Sequence, residues 1–138
     1  MSYLLDTDSS IDHPAGQPAM RALWPRLLED AAAISAMTWI ELQTGVYSAR
    51  DPKRAGSDLR RFLRSIRVMS LTRRVMAETA RLRYELLARN LPIKHRAYDI
   101  ITAATARVHN LTLVTSNTKD FGDVSNLKLL NPRTGQTR

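Results

Sequence analysis

Residues 3–12 read YLLDTDSSID, an apolar run, Tyr3-Leu4-Leu5, that gives way at once to Asp6, Asp8 and Asp12. A short buried strand ending in an acid suits one architecture in particular. In open parallel sheets, ligands bind outside the carboxyl ends of the strands. The question is whether the rest of the chain supplies further strands, and further acids at their ends.

It supplies both. Ala32–Ala36 reads as a second short strand, Val68–Leu71 as a third, Leu111–Val114 as a fourth and Val124–Leu130 as a fifth. Between them lie segments of helical period. Pro18–Asp30 spaces Met20, Leu23, Leu27 and Leu28 along one face, with Pro25 expected to kink or split it. A helix should run from Thr38 to about Ala49. Another, over about 52–65, carries the stripe Leu59, Phe62, Leu63 and Ile66, with Arg60, Arg61, Arg64 and Arg67 largely off it. Thr72 is placed to cap a helix whose Val75, Thr79, Leu82 and Leu86 share a face, ended by Asn90-Leu91-Pro92. A helix over about 97–109 precedes the fourth strand. Strands alternating with amphipathic helices indicate an α/β domain around a mostly parallel sheet of about five strands. One domain over residues 1–132 and a frayed polar tail over 133–138 complete the expected organisation.

Composition narrows the chemistry. The 138 residues contain no cysteine, which excludes disulfides and thiolate metal sites and suits the cytosol. No apolar run approaches the roughly 18 residues of a membrane span, and no secretory signal is evident. The net charge is +8, concentrated in residues 50–96: 14 of the 21 Lys and Arg lie there against four acids, which makes that segment +10 and the remainder −2. Such a segment suits a polyanion or an acidic partner, and also a pair of solvated helices.

The same topology brings remote acids to one sheet edge. Asp6 follows the first strand, Glu41 lies a turn beyond the second, Asp99 opens the helix before the fourth, and Asp120 follows Thr115-Ser116-Asn117. Singly, each has an ordinary structural use. Asp6 can begin a turn, Thr38-Trp39-Ile40-Glu41 matches a capping box, Asp99 can favour a helix N-terminus and Asp120 can cap a turn. Together, four carboxylates would repel one another unless a cation offset them. Oxygen ligands with neither cysteine nor a spaced histidine pair point to Mg²⁺, with Mn²⁺ as a substitute. His13, His95 and His109 fit surface or capping roles, with His95 the nearest in sequence to a candidate acid. No Gly-rich phosphate loop and no Gly-x-Ser-x-Gly elbow is present, which argues against covalent catalysis.

Four blocks carry a family resemblance: Tyr3–Asp8, Ile34–Leu42, Tyr98–Ala106 and Leu113–Phe121. In that order and separation they resemble the signature blocks of PIN-domain proteins, with VapC-type toxins of bacterial toxin–antitoxin pairs the nearest. The resemblance implies a three-layer α/β/α fold and a Mg²⁺-dependent endoribonuclease, dimeric and silenced by a VapB-type antitoxin. It makes Asp6, Glu41, Asp99 and Asp120 the metal-binding and catalytic acids, with Thr7, Asp8, Thr115 and Asn117 in support. Arg60, Arg61, Arg64, His95 and Arg96 are then candidates for contact with RNA or antitoxin. A housekeeping PIN nuclease without an antitoxin and a non-catalytic nucleic-acid-binding module are the alternatives. Two departures stand out. Asp8-Ser9-Ser10 replaces the family's usual Asn and two aliphatic residues, which should loosen the loop below Asp6. Thr102 replaces a small or apolar residue.

Overall fold

Residues 2–12 and 16–138 are described by the computed structural model, without the side chain of Asp12. The expectations for His13 and for the Asp12 side chain fall outside the described residues. Tyr3–Leu5 forms β1, which pairs in parallel with β2 (Ala33–Ser35) on one side and with β4 (Thr112–Val114) on the other. β3 (Arg67–Met69) adds in parallel beyond β2, and β5 (Leu129–Leu130) beyond β4. The order β3-β2-β1-β4-β5 runs outward from β1 in one direction and then resumes on its other side. The β1/β4 junction is therefore the topological switch point, where a crevice opens at the carboxyl edge.

Alternation along each strand loads both faces. Leu4, Ala33, Leu113 and Leu129 point to a cluster closed by Leu82 and Leu86 of α5 (Arg73–Ala88), Ile100 and Ala103 of α6 (Ala97–Val108), and Phe121 of α7 (Thr118–Phe121). Tyr3, Leu5, Ile34, Val114 and Leu130 point the other way, against Met20 and Leu27 of α2 (Pro18–Glu29) and Phe62 of α4 (Pro52–Leu63). This is the expected three-layer sandwich. Burying Leu4, Leu5, Leu113 and Val114 fully is worth about 1.5–3 kcal/mol each before entropy is charged.

Several local expectations are corrected. Of the two outcomes expected at Pro25, the split does not occur: α2 runs through it, with Pro25 exposed and the one hydrogen bond its missing amide would make forgone. The helix after β2, α3, spans Ala36–Ser48, two residues earlier than expected, because Ser35 rather than Thr38 is its cap and accepts from the Thr38 amide at 3.1 Å. β3 begins at Arg67, one residue early. β5 is confined to two residues, because turns at 122–126, with Asn126 in the left-handed region (φ 55°), interrupt the apolar run before it. The tail is not frayed. Arg138 exchanges both backbone hydrogen bonds with Leu129 at 2.9 Å, and its guanidinium donates to the carbonyls of Phe121, Gly122 and Val124.

Candidate active site

β1 delivers Asp6 to the switch point, and the backbone fixes it there. Its amide donates to the Val114 carbonyl at 3.1 Å, which ties the ends of β1 and β4 together. Its carboxylate Oδ1 accepts from the Ser9 amide at 2.7 Å and so caps α1 (Thr7–Asp12). The capping use and the site use thus coexist on one side chain. Asp6 is buried, and that burial pushes its carboxyl up to about 6. Hydrogen bonds from Thr115 and Ser9 pull the other way without cancelling the desolvation.

Ser9 and Ser10 do not loosen this corner. Ser9 Oγ donates to the Val114 carbonyl at 3.1 Å and Ser10 Oγ to the Asp6 carbonyl at 2.8 Å, and both side chains are buried. Two small hydroxyls satisfy backbone acceptors where aliphatic side chains could only pack.

Glu41 is not part of a capping box. Its Oε1 accepts from Thr7 Oγ1 at 2.7 Å, across 34 residues. Behind Thr7 stands a row of hydroxyls: Thr38 Oγ1 at 3.5 Å, Ser35 Oγ at 3.3 Å from Thr38, and Thr102 Oγ1 at 2.9 Å from Ser35. Ser35, Thr38 and Thr102 are buried. The row joins α1, α3, β2 and α6 beneath the acids, and it gives Thr102 a partner that an alanine could not replace.

Asp99, half-buried in the first turn of α6, shares a cleft of about 370 Å³ with Glu41, His95 and Tyr98. Its carboxyl is pushed up, first by burial and then by the negative charges of Asp120 and Glu41, with a smaller push from Asp8; Arg96 opposes them. Acids from three other elements, α7, α3 and α1, therefore act on Asp99 across this edge. Asp8 accepts a hydrogen bond from the Asn117 side-chain amide, and the Asn117 backbone amide donates to Thr115 Oγ1 at 3.0 Å. All of the expected supporting residues lie along this edge.

The basic residues divide. Arg60, Arg61 and Arg64 are exposed on and just after α4. His95 is exposed beside Glu41 and Asp99, with its backbone in the left-handed region (φ 62°). Arg96 has another occupation. It grips both carboxylate oxygens of Asp123 at 2.7 and 2.9 Å, and donates to the carbonyls of Pro92 and Asp120. An arginine whose fork is already filled holds the Asp120 segment in place rather than offering itself to a strand of RNA.

Among the described residues, no three His, Cys, Asp or Glu side chains stand arranged to hold a metal ion. The donor set nevertheless fits a hard divalent cation. It consists of carboxylate and hydroxyl oxygens; burial first and neighbouring carboxylates second raise Asp99, and a cation would offset both. The fit is one of donor chemistry and charge, not of a preformed cage. Sequence reasoning missed the row Ser35–Thr38–Thr102 and the anchoring by Ser9 and Ser10. Ser9, Ser10 and Thr102 were visible as departures, but the partners of Ser9 and Thr102, the Val114 carbonyl and Ser35, lie 105 and 67 residues away.

Comparison with known proteins agrees with this fold. Residues 3–127 match the PIN domain family model. The chain is 30% identical over 135 residues to ribonuclease VapC2 of Rickettsia felis, covering 95% of this chain and 98% of that one. It is 27% identical to the tRNA(fMet)-specific endonuclease VapC of Shigella flexneri, covering 93% and 96%. Among solved structures, a VapBC2 complex from Rickettsia felis bound to a promoter DNA fragment superposes with a TM-score of 0.86 at 28% identity, covering 95% of this chain and 98% of that one.

Proposed function

This chain belongs to the PIN-domain family, among its VapC-type members, and on that premise we propose that it is a divalent-metal-dependent endoribonuclease, the toxin of a toxin–antitoxin pair. The observation that carries the reading is the electrostatic meeting of Asp99 with Asp120 and Glu41 at a switch point whose first strand ends in buried Asp6. Asp6, Glu41, Asp99 and Asp120 would hold Mg²⁺, or Mn²⁺ in its place. Bound there, the ion supplies an activated water and offsets charge on the phosphate. The chain does the rest. Thr7 holds the Glu41 carboxylate, and Ser9 and Thr115 hold Asp6 in orientation. Asn117 tethers Asp8, and the Arg96–Asp123 pair fixes the segment that carries Asp120. Arg60, Arg61 and Arg64 supply positive charge for the RNA backbone or the antitoxin.

A VapB-type antitoxin is the proposed inhibitor. An apolar cleft of about 440 Å³ between α3 and α4, lined by Ile11, Leu42, Val46, Leu59 and Phe62, ends at Glu41. An amphipathic helix lying there would bring a basic side chain to the acids. A homodimer is part of the same reading.

The test is metal-dependent cleavage of RNA by the purified chain. Asp99→Asn should abolish cleavage and leave the circular dichroism spectrum intact, and a chelator should silence the native chain. Cleavage by Asp99→Asn at the native rate would contradict the assignment.

A further inference from the structure

A second cationic feature lies outside the acid cluster. Arg89, at the end of α5, Lys128, just before β5, and Arg138, in the returning tail, line a cavity of about 530 Å³ together with Asp123, Ser125 and Asn126. Its side-chain charge is positive on balance. Asp123 is the one acidic side chain in the lining, and both of its carboxylate oxygens are taken by Arg96 at 2.7 and 2.9 Å. Arg89 donates to the Asp123 carbonyl at 2.8 Å, and Arg138 donates to three carbonyls at 2.8–3.2 Å. Carbonyls satisfy N–H groups and orient the guanidiniums, but they carry no net charge to offset them. Among the described residues, Arg89, Lys128 and Arg138 form no ion pair. Three cations around a concave, half-polar surface suit a phosphate group.

The position matters as much as the charge. Arg96 holds the 120–123 segment through the Asp120 carbonyl and the Asp123 carboxylate. Arg89 grips the same segment through the Asp123 carbonyl, on the side of the cavity. The cavity therefore flanks the segment that carries one candidate catalytic acid. We propose that this pocket binds a backbone phosphate of the RNA strand as it leaves the acid cluster, making Arg89 and Lys128 substrate-holding residues. The proposal rests on the ribonuclease reading above. Free phosphate shares the same chemistry. The strand is favoured because the pocket and the acid cluster share the 120–123 segment, which Arg89 and Arg96 both hold.

The experiment uses the full chain carrying Asp6→Asn, so that RNA is bound and not cut. Binding of a fluorescein-labelled single-stranded RNA is followed by anisotropy from low to moderate salt. Lys128→Ala, which removes no hydrogen bond seen in the structure, and Arg89→Ala/Lys128→Ala are compared with it. Each lost phosphate contact on a single strand should flatten the log–log salt slope by about 0.7. The double variant should bind on the order of tenfold more weakly at low salt, with Arg89→Lys/Lys128→Arg restoring both affinity and slope. An unchanged slope in both alanine variants, while the parent binds RNA, would overturn the pocket and leave the ribonuclease reading standing. A parent that binds no RNA, alongside a native chain that cuts none, overturns both. Inorganic phosphate that shifts the amide resonances of Ser125 and Asn126 when RNA does not would assign the pocket to a free anion and overturn the proposal.

Discussion

At the residue scale, Asp6 is where structure and chemistry meet. Its carboxyl is pushed from 3.8 to about 6, so between those pH values the metal-free folded chain holds a proton that the unfolded chain has released. Stability from this group therefore falls as pH rises from about 4 through about 6, then levels off with ionised Asp6 buried and only partly offset by its hydrogen bonds from Thr115 and Ser9. The two-unit shift corresponds to roughly 3 kcal/mol. Asp6→Asn should keep the cap through its amide oxygen and lack the penalty. Thermal melts in chelator should show the variant gaining on the native chain between pH 4 and 7, and parallel melting curves across that range would contradict the shift. Ser9→Ala is expected to cost about 1 kcal/mol, because it removes one of the two hydrogen bonds to the buried Val114 carbonyl and leaves the one from the Asp6 amide. A denaturant midpoint equal to the native one would remove Ser9 from this role. Asp6 could be singled out from sequence by its place after an apolar run. Ser9 and Ser10 could not, since their value lies in two carbonyls, one of them 105 residues away.

At the element scale, the two faces of the sheet follow from alternation in three-residue strands. The parallel architecture and the α5 face, with Val75, Leu82 and Leu86, were legible in the sequence. The element ends were not. The start of α3 turned on which hydroxyl, Ser35 or Thr38, captured a free amide, and both are reasonable caps by type. Once Ser35 takes the cap, Thr38 is released to the hydroxyl row and Glu41 to Thr7. Thr102→Val should break that row at its α6 end, costing about 1 kcal/mol in stability. It should also lower kcat more than it raises KM for RNA, since α3 and α6 carry two of the acids. Loss of stability with kcat untouched would make Thr102 purely structural. The tail was misread because its composition is polar. Its hold on β5 comes from backbone pairing and from one guanidinium on three carbonyls, none of which hydropathy registers. Deleting residues 132–138 should lower the melting temperature by several degrees, and an unchanged melt would show the pairing to be incidental.

At the scale of the whole molecule, charge is sorted. The basic segment 50–96 contains four acids, yet Glu78 and Glu85 are drawn onto Arg107 of α6, and Asp51 caps α4. Its positive surface is thus less diluted than composition implies, while the candidate acids gather at the sheet edge. The apolar cleft between α3 and α4 joins these two regions. Leu59→Asp in that cleft should weaken capture of a co-expressed antitoxin at least tenfold and leave RNA cleavage within about twofold of native. Equal capture would move the inhibitor elsewhere. On the proposed function, the four-acid edge hydrolyses RNA in the cell. The decisive experiment maps new RNA 5′ ends across total RNA after brief induction of the native chain and of Asp6→Asn. Discrete new ends with the native chain, absent with the variant, are the expected result. The same ends at the same abundance from Asp6→Asn would contradict it.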